Sequence, residues 1–199
     1  LVLETEDISE NKVYILEISS FQMEDIIDFK PDYSAILNIT PDHLNRYQGD
    51  ISKYLQAKLK ITKNQTRDDT YLYNSQDALL CKNLPQNTKT IPFDKDNRLG
   101  ELIKYNQEGS IHLKNGDKLL IRGKHNYSNL LAALAIVDRF DISEEHIIRR
   151  LKSFKGLPHR LEYVRTLGGI DFYNDSKATN IDSVVQALQS FKRPIILIL

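Results

Sequence analysis

The sequence predicts an α/β fold with a mainly parallel sheet, and three observations carry that reading. Short apolar runs rich in β-branched residues recur along the chain. Segments with helical apolar spacing lie between them, the alternation that builds parallel sheets through crossover connections. One Asn115-Gly116 pair, flanked by two short strand-like runs, adds a small antiparallel piece, because that dipeptide supplies the positive-φ positions of a tight hairpin turn.

Residues 13–18 are apolar apart from Glu17 and read as a buried strand ending near Ser19. Residues 33–39 form a second strand, stopped by Thr40-Pro41. A helix follows, with Asp50 as N-cap and an apolar face made by Ile51, Tyr54, Leu55, Leu59 and Ile61. Short strands are expected at residues 70–73 and 90–93, and the hairpin pairs residues 111–113 with 119–122. An Ala- and Leu-rich helix runs from about residue 126 to residue 140. Another starts after Ser143, with Glu144 and Glu145 placed to complement the helix dipole, and ends near Phe154. Gly156-Leu157-Pro158 interrupts the pattern, so one domain is expected over residues 1–156 and the opening of a second over 157–199. The second carries strands at 162–165 and 170–173, a helix at 181–191 and a strand at 195–199, continuing the alternation.

Lys+Arg 27 and Asp+Glu 27 balance over 199 residues, so no basic surplus points to nucleic acid or to an anionic membrane. Cys81 is the single cysteine and forms no internal disulfide, which suits a reducing compartment. The longest aliphatic run, residues 195–199, is too short to span a bilayer. The chain opens at Leu1 and stops inside a strand-like run, so both ends read as cut from something longer.

Lys58 is the most informative residue on physical grounds. At 100° per residue it falls in the middle of the stripe made by Ile51, Tyr54, Leu55 and Thr62, while Lys53 and Lys60 face the other way. A lysine there must snorkel, pair with a carboxylate, lose its charge or be modified; alone, snorkelling or pairing is the simpler account. Glu17 sits near the C-terminal end of an apolar strand, the edge where α/β sheets collect ligands, though a capping carboxylate would look the same. His43 follows the second strand beside Asp42, and taken singly it is a solvated loop histidine. Together Glu17, His43 and Lys58 end consecutive elements and are able to converge on one metal–phosphate site. Residues 174–180, Asn-Asp-Ser-Lys-Ala-Thr-Asn, join a strand to a helix, where backbone N–H groups suit anions. Capping by Thr179 or Asn180 explains one of these residues but not Asp175 together with Lys177. No G-x-x-x-x-G-K-[ST] loop, Ser-His-Asp set or Cys/His zinc spacing is present in the chain.

These segments together resemble the Mur ligase family. The matching stretches are Leu16-Glu17-Ile18-Ser19-Ser20-Phe21-Gln22, Leu37-Asn38-Ile39-Thr40-Pro41-Asp42-His43-Leu44-Asn45-Arg46 and Ala57-Lys58. They continue with Gly123-Lys124-His125-Asn126-Tyr127-Ser128-Asn129, Pro158-His159-Arg160-Leu161-Glu162 and residues 174–180, in the family's order. The last stretch has the form carried by the members that add D-glutamate, where the others have histidine-containing motifs.

The resemblance implies a three-domain enzyme of which this chain holds most of a central ATPase domain and the start of a Rossmann-like C-terminal domain. The phosphate loop and a uridine-nucleotide domain would lie upstream, and the chain alone would be inactive. The implied activity is ATP-dependent amide formation through an acyl phosphate, joining D-glutamate to UDP-N-acetylmuramoyl-L-alanine for peptidoglycan, by a cytoplasmic monomer with ATP and Mg2+. In the family pattern His43 and Glu17 serve magnesium, and Lys58 is carbamylated and serves the same metal. Asn126 and Asn129 contact adenine, Arg160 phosphate or ribose, and Asp175 ribose. Lys177 and Thr179 serve phosphate and the incoming glutamate, and Ser19 and Gln22 the muramoyl-peptide. Another amide ligase of the superfamily, such as folylpolyglutamate synthase, is the nearest alternative; a silent binding module of the same fold is the alternative of another class.

Overall fold

The protein is described by a computed structural model over residues 12–42, 44–95 and 97–198. Strands β1 (Tyr33–Ile36), β2 (Thr70–Tyr73) and β3 (Lys89–Pro92) form a parallel sheet in that order. The crossovers carry α1 (Ile51–Leu59) and α2 (Ala78–Lys82). Successive residues of a strand face opposite sides of its sheet, and β2 shows what this builds. Tyr71 enters a core with Ile36, Tyr54, Leu55 and Leu80. Leu72 enters the other, with Phe93, Ile111, Leu131 and Leu134. A strand covered on both faces needs the near-continuous apolar run read from the sequence. Each such buried side chain contributes about 1.5–3 kcal/mol through removal from water.

Asp50 caps α1 as expected, accepting from the Ser52 N–H at 2.8 Å. The five-residue α2 shows no periodicity in sequence; its signal is the cap Asp77, which accepts from Leu79 and Leu80 N–H groups and, through its other oxygen, from Ile39 N–H at 2.7 Å. That last bond ties the exit of β1 to α2.

A second sheet, antiparallel, orders β4 (Ile103–Tyr105), β5 (Ser110–Leu113) and β6 (Lys118–Arg122). Its β5–β6 turn is the predicted one, with Gly116 at φ 96°. The three-residue β4 was too short to read from the sequence. Helix α3 (Lys124–Val137) follows β6 at once, starting two residues before the apolar spacing suggests, because Gly123 rather than a side-chain cap opens it. Asn97, buried, donates to Phe93 and Leu131 carbonyls at 2.9 and 2.7 Å and fastens α3 to the parallel sheet. Helix α4 (Glu144–Ser153), capped by Ser143, sets Ile147 and Leu151 into the same core.

Beyond residue 156 the expected alternation gives way to an antiparallel pair, β7 (Glu162–Leu167) with β8 (Ile170–Asn174), turning at Gly168 and Gly169. Helix α5 (Ile181–Gln189) follows, with Asn180 accepting from Ser183 N–H at 2.8 Å. Two predicted strands do not form. Residues 13–18 carry no ladder and leave Val13 63% and Ile15 93% exposed. Residues 195–198 likewise leave Ile196 and Ile198 more than four-fifths exposed. Apolar composition states that burial is favourable; a strand also needs a neighbour to satisfy its backbone groups.

Candidate active site

Lys58 behaves as its helical position requires. It is half-buried on α1, with its ammonium 5.0 Å from the ring centroid of Tyr54, one turn earlier. Burial pushes its pKa below the ordinary amine value, while the Asp42 carboxylate acts in the opposite sense. Desolvation wins, so the neutral amine is favoured more than in water. A neutral amine is the form that reacts with carbon dioxide. Glu17 is exposed in the segment before β1. His43, the third expected metal ligand, lies outside the described residues. Among the described residues no group of three His, Cys, Asp or Glu is spaced to hold a cation. Of the expected ligands only Glu17 and Lys58 are described; a carboxylate and a carbamylated lysine would offer the oxygen donors that suit a hard cation such as Mg2+. Asp42 entered the sequence reading only as a neighbour of His43; its influence on Lys58 is a tertiary fact.

The Ser19–Gln22 pair closes a turn on itself, with Ser19 N–H and Oγ both donating to Gln22 Oε1 at 2.9 and 2.7 Å. That turn is fixed to the loop after β1 by a network the sequence did not announce. Buried Tyr47 donates to Ser20 Oγ at 2.8 Å and also meets Glu24 at 3.0 Å. Arg46 grips Glu24 with both prongs, Nε to Oε1 at 2.9 Å and Nη2 to Oε2 at 2.7 Å. This fork, with help from Tyr47 and Lys60, holds the Glu24 carboxyl down at about 2. The network thus joins the segment bearing Ser19 and Gln22 to the segment bearing Asp42. A single sequence flag existed, Arg46 at the end of a quoted motif, but nothing paired it with Glu24.

The remaining candidates gather at the start of α3. Asn126 turns its amide back onto the Arg122 carbonyl at 2.8 Å, and Asn129 lies exposed one turn on. The first N–H groups of a helix have no intrahelical acceptor, which favours anions there. His125, in the same turn, has a buried Nδ1 with no hydrogen-bond partner among the described residues, an orphaned polar atom beside this end. Burial pushes its pKa down, Asp175 opposes that, and Arg160 adds to it. Arg160 and Asp175, 15 residues apart in sequence, therefore both lie near enough to act electrostatically on His125.

Backbone anchors hold them. Asp175 Oδ1 accepts from Leu161 N–H at 2.9 Å, Lys177 N–H donates to the His159 carbonyl at 3.1 Å, and Asn174 meets the His159 ring at 2.9 Å. Glu162 accepts from His159 N–H at 2.8 Å. His159 and Leu161 stand at φ 64° and 45°, left-handed positions that non-glycine residues take only when anchored. Arg160, between them, is exposed, as are Lys177 and Thr179. His125 was quoted within a motif but given no role in the sequence reading; only burial singles it out. Arg160 and the free N–H groups at the start of α3 can attract an anion, while the Asp175 carboxylate can accept only from an N–H or hydroxyl donor.

Comparison with known proteins adds independent findings. The family model described as Mur ligase middle domain matches residues 1–137. A UDP-N-acetylmuramoylalanine–D-glutamate ligase of Lachnospira eligens is 40% identical across 96% of this chain and 44% of its own length. The protein of the same name from Clostridioides difficile is 42% identical over 96% of this chain and 44% of its length. The chain thus spans less than half of the relatives it matches. Among solved structures, a MurF ligase of Thermotoga maritima in complex with ADP superposes with TM-score 0.62 at 18% identity, covering 81% of this chain and 39% of that one. MurF of Acinetobacter baumannii gives TM-score 0.60 at 22% identity, covering 81% and 37%. At those identities the likeness speaks for the fold.

Proposed function

The chain belongs to the Mur ligase family, and from that premise we propose that it is the central and early C-terminal part of an ATP-dependent ligase joining D-glutamate to UDP-N-acetylmuramoyl-L-alanine. The observation that supports the reading is that Arg160 and Asp175, on segments bonded to each other through Leu161 and His159, both act electrostatically on the buried His125 in the first turn of α3. It is supported by relatives about 40% identical along nearly the whole chain, which are UDP-N-acetylmuramoylalanine–D-glutamate ligases. We divide the chain into a central domain over residues 1–156 and the opening of a C-terminal domain over 157–199. The reading needs ATP and an unexported nucleotide-linked precursor, so we place it in the cytoplasm.

In this proposal the terminal alanyl carboxylate is activated as an acyl phosphate, and the amine of D-glutamate displaces phosphate to form the amide. Such chemistry depends on positioning and charge neutralisation rather than on covalent participation by the protein. Asn126 and Asn129 serve the adenine, Arg160 the phosphates or ribose, and Asp175 the ribose. Lys177 and Thr179, just before the start of α5, offer a cation and a hydroxyl to phosphate and to the incoming dicarboxylic amino acid. Ser19 and Gln22 orient the muramoyl-peptide. Glu17, His43 and carbamylated Lys58 would hold Mg2+, which supplies neutralisation of phosphate charge. A lysine-like substrate would leave its distal ammonium facing Lys177, a like charge.

The test supplies the full-length protein with ATP, UDP-N-acetylmuramoyl-L-alanine and one amino acid at a time, and identifies products by mass and chiral analysis. D-glutamate is expected to be consumed, with L-glutamate, L-lysine and meso-diaminopimelate rejected. Preference for any of the other three would overturn the substrate assignment.

A further inference from the structure

The chain between the Ser19–Gln22 turn and β1 keeps its place without a ladder or a helix. Residues 26–31 carry neither, and Ile27 is 76% exposed, so apolar burial gives this stretch little purchase. A row of side chains holds it instead. Lys60, Lys63, Asn64 and Gln65, just beyond α1, donate in turn to the carbonyls of Glu24, Ile26, Ile27 and Pro31 at 2.8, 3.0, 2.7 and 2.9 Å. Gln65 is buried and accepts from Ser34 Oγ in β1 at 2.9 Å, which fixes the far end of the row. The near end is Glu24, whose carboxylate the Arg46 fork grips.

Two features tie this strap to Lys58. Lys60, the first donor, stands two residues after Lys58, where α1 ends. Tyr47, which bonds Ser20 and Glu24, packs its ring with the centroid 5.4 Å from that of Tyr54, and Tyr54 is the ring that the Lys58 ammonium approaches. The Ser19–Gln22 turn and the Lys58 side chain are therefore held by one assembly, all of it within residues 19–65. Its two branches meet at Glu24, where the carboxylate takes Arg46 and Tyr47 and the carbonyl takes Lys60.

We propose that Glu24 is a positioning residue, clamping the Ser19–Gln22 turn at one place relative to Lys58 and so setting where the carboxyl of the muramoyl-peptide lies in the site. The clamp stands on geometry; its consequence for the substrate rests on the function proposed above. A two-pronged guanidinium–carboxylate pair fixes direction as well as distance, which neither a neutral amide nor an ammonium reproduces.

The experiment uses the full-length protein with ATP, D-glutamate and UDP-N-acetylmuramoyl-L-alanine. Glu24→Gln should raise the KM for the UDP-linked substrate about fivefold, the upper end for a partly exposed pair of good geometry, and leave the KM values for ATP and D-glutamate within about twofold. Arg46→Lys should recover only part of the loss in Arg46→Ala, and Glu24→Gln combined with Arg46→Ala should lose no more than the larger single loss. Backbone amide exchange, read by mass spectrometry, should speed up over residues 19–31 in Glu24→Gln. If Glu24→Gln does not fold, Arg46→Lys carries the same tests. An unchanged KM for the UDP-linked substrate in a folded variant, an equal rise in all three KM values, or additive losses in the double variant would overturn the inference. Failure of the parent to use the UDP-linked substrate would count against the proposed function; the clamp would then be upheld by faster exchange over residues 19–31 and overturned by unchanged exchange.

Discussion

Replacing Asp175 tests whether the two chain segments at the start of α3 are held together for nucleotide binding. Its Oδ1 accepts the Leu161 N–H at 2.9 Å, across a loop in which His159 and Leu161 occupy left-handed backbone conformations. Each such non-glycine residue costs about 1–2 kcal/mol, so the loop keeps its shape only while its bonds outweigh roughly 2–4 kcal/mol of local strain. A hydrogen bond to an ionised acceptor contributes about 1.5–3 kcal/mol. Asp175 is half-buried, so the lower part of that range, about 2 kcal/mol, is the appropriate magnitude. That corresponds to about a thirtyfold drop in the population of the held loop, and hence in apparent affinity for a ligand that needs Arg160 in place. Asp175→Ala is therefore expected to weaken ADP binding by about thirtyfold in the full-length protein, measured by calorimetry. Asp175→Asn keeps an acceptor for Leu161 and should lose less. If Asp175→Ala binds ADP within about twofold of the parent, the anchoring argument is wrong. If the Asn variant falls as far as the Ala variant, the carboxylate charge rather than the loop bond is what matters.

Two further outcomes follow from the titrating groups. Lys58 has a folded pKa below its unfolded value because of burial, so its penalty is fully present at low and neutral pH and is relieved as pH rises toward the ordinary lysine range. In buffer free of carbon dioxide, where Lys58 keeps its amine, Lys58→Met should flatten that alkaline rise in melting temperature, and in labelled bicarbonate it should remove a carbamate carbon signal and abolish ligase activity; an unchanged alkaline slope or retained activity would count against the site. Glu24 has the opposite sign: its carboxyl, held at about 2 by Arg46, contributes stability that is complete above its ordinary value of 4.5 and is lost as pH falls through 2. Thermal melts across that acid range should lose this part of their slope in Glu24→Gln, and identical slopes in parent and variant would sink the assignment.

Much of the fold was legible because its signals are local. The caps Asp50 and Ser143 and the turn at Gly116 act over two to four residues and stand where the sequence places them, and of the two caps it offered for the last helix, Thr179 and Asn180, the structure uses Asn180. The central strand β2 has the residues expected, since burial on both faces leaves composition no freedom. The errors have the same origin. Residues 13–18 and 195–198 carry the composition of strands, but a ladder requires a partner, and composition says nothing about where one stands. The antiparallel pairing of β7 with β8 depends on Gly168 and Gly169 both turning left-handed, a choice that the surrounding apolar runs did not signal.

By itself, then, the sequence determined the α/β alternation, the helix starts, the odd placement of Lys58 and the motif stretches that resemble the family. Tertiary structure decided which of those residues act on one another. Asp42 influences Lys58 from 16 residues away, Arg46 finds Glu24 across 22, Asp175 finds Leu161 across 14, and Arg122 reaches Ser190 across 68. The physical reason is that local signals act between residues a few positions apart, a nearness along the chain that the sequence itself fixes. Burial of His125, desolvation of Lys58 and the fork of Arg46 exist only once loop-closure entropy has been overcome by packing elsewhere, so they are properties of the assembled cores rather than of any segment.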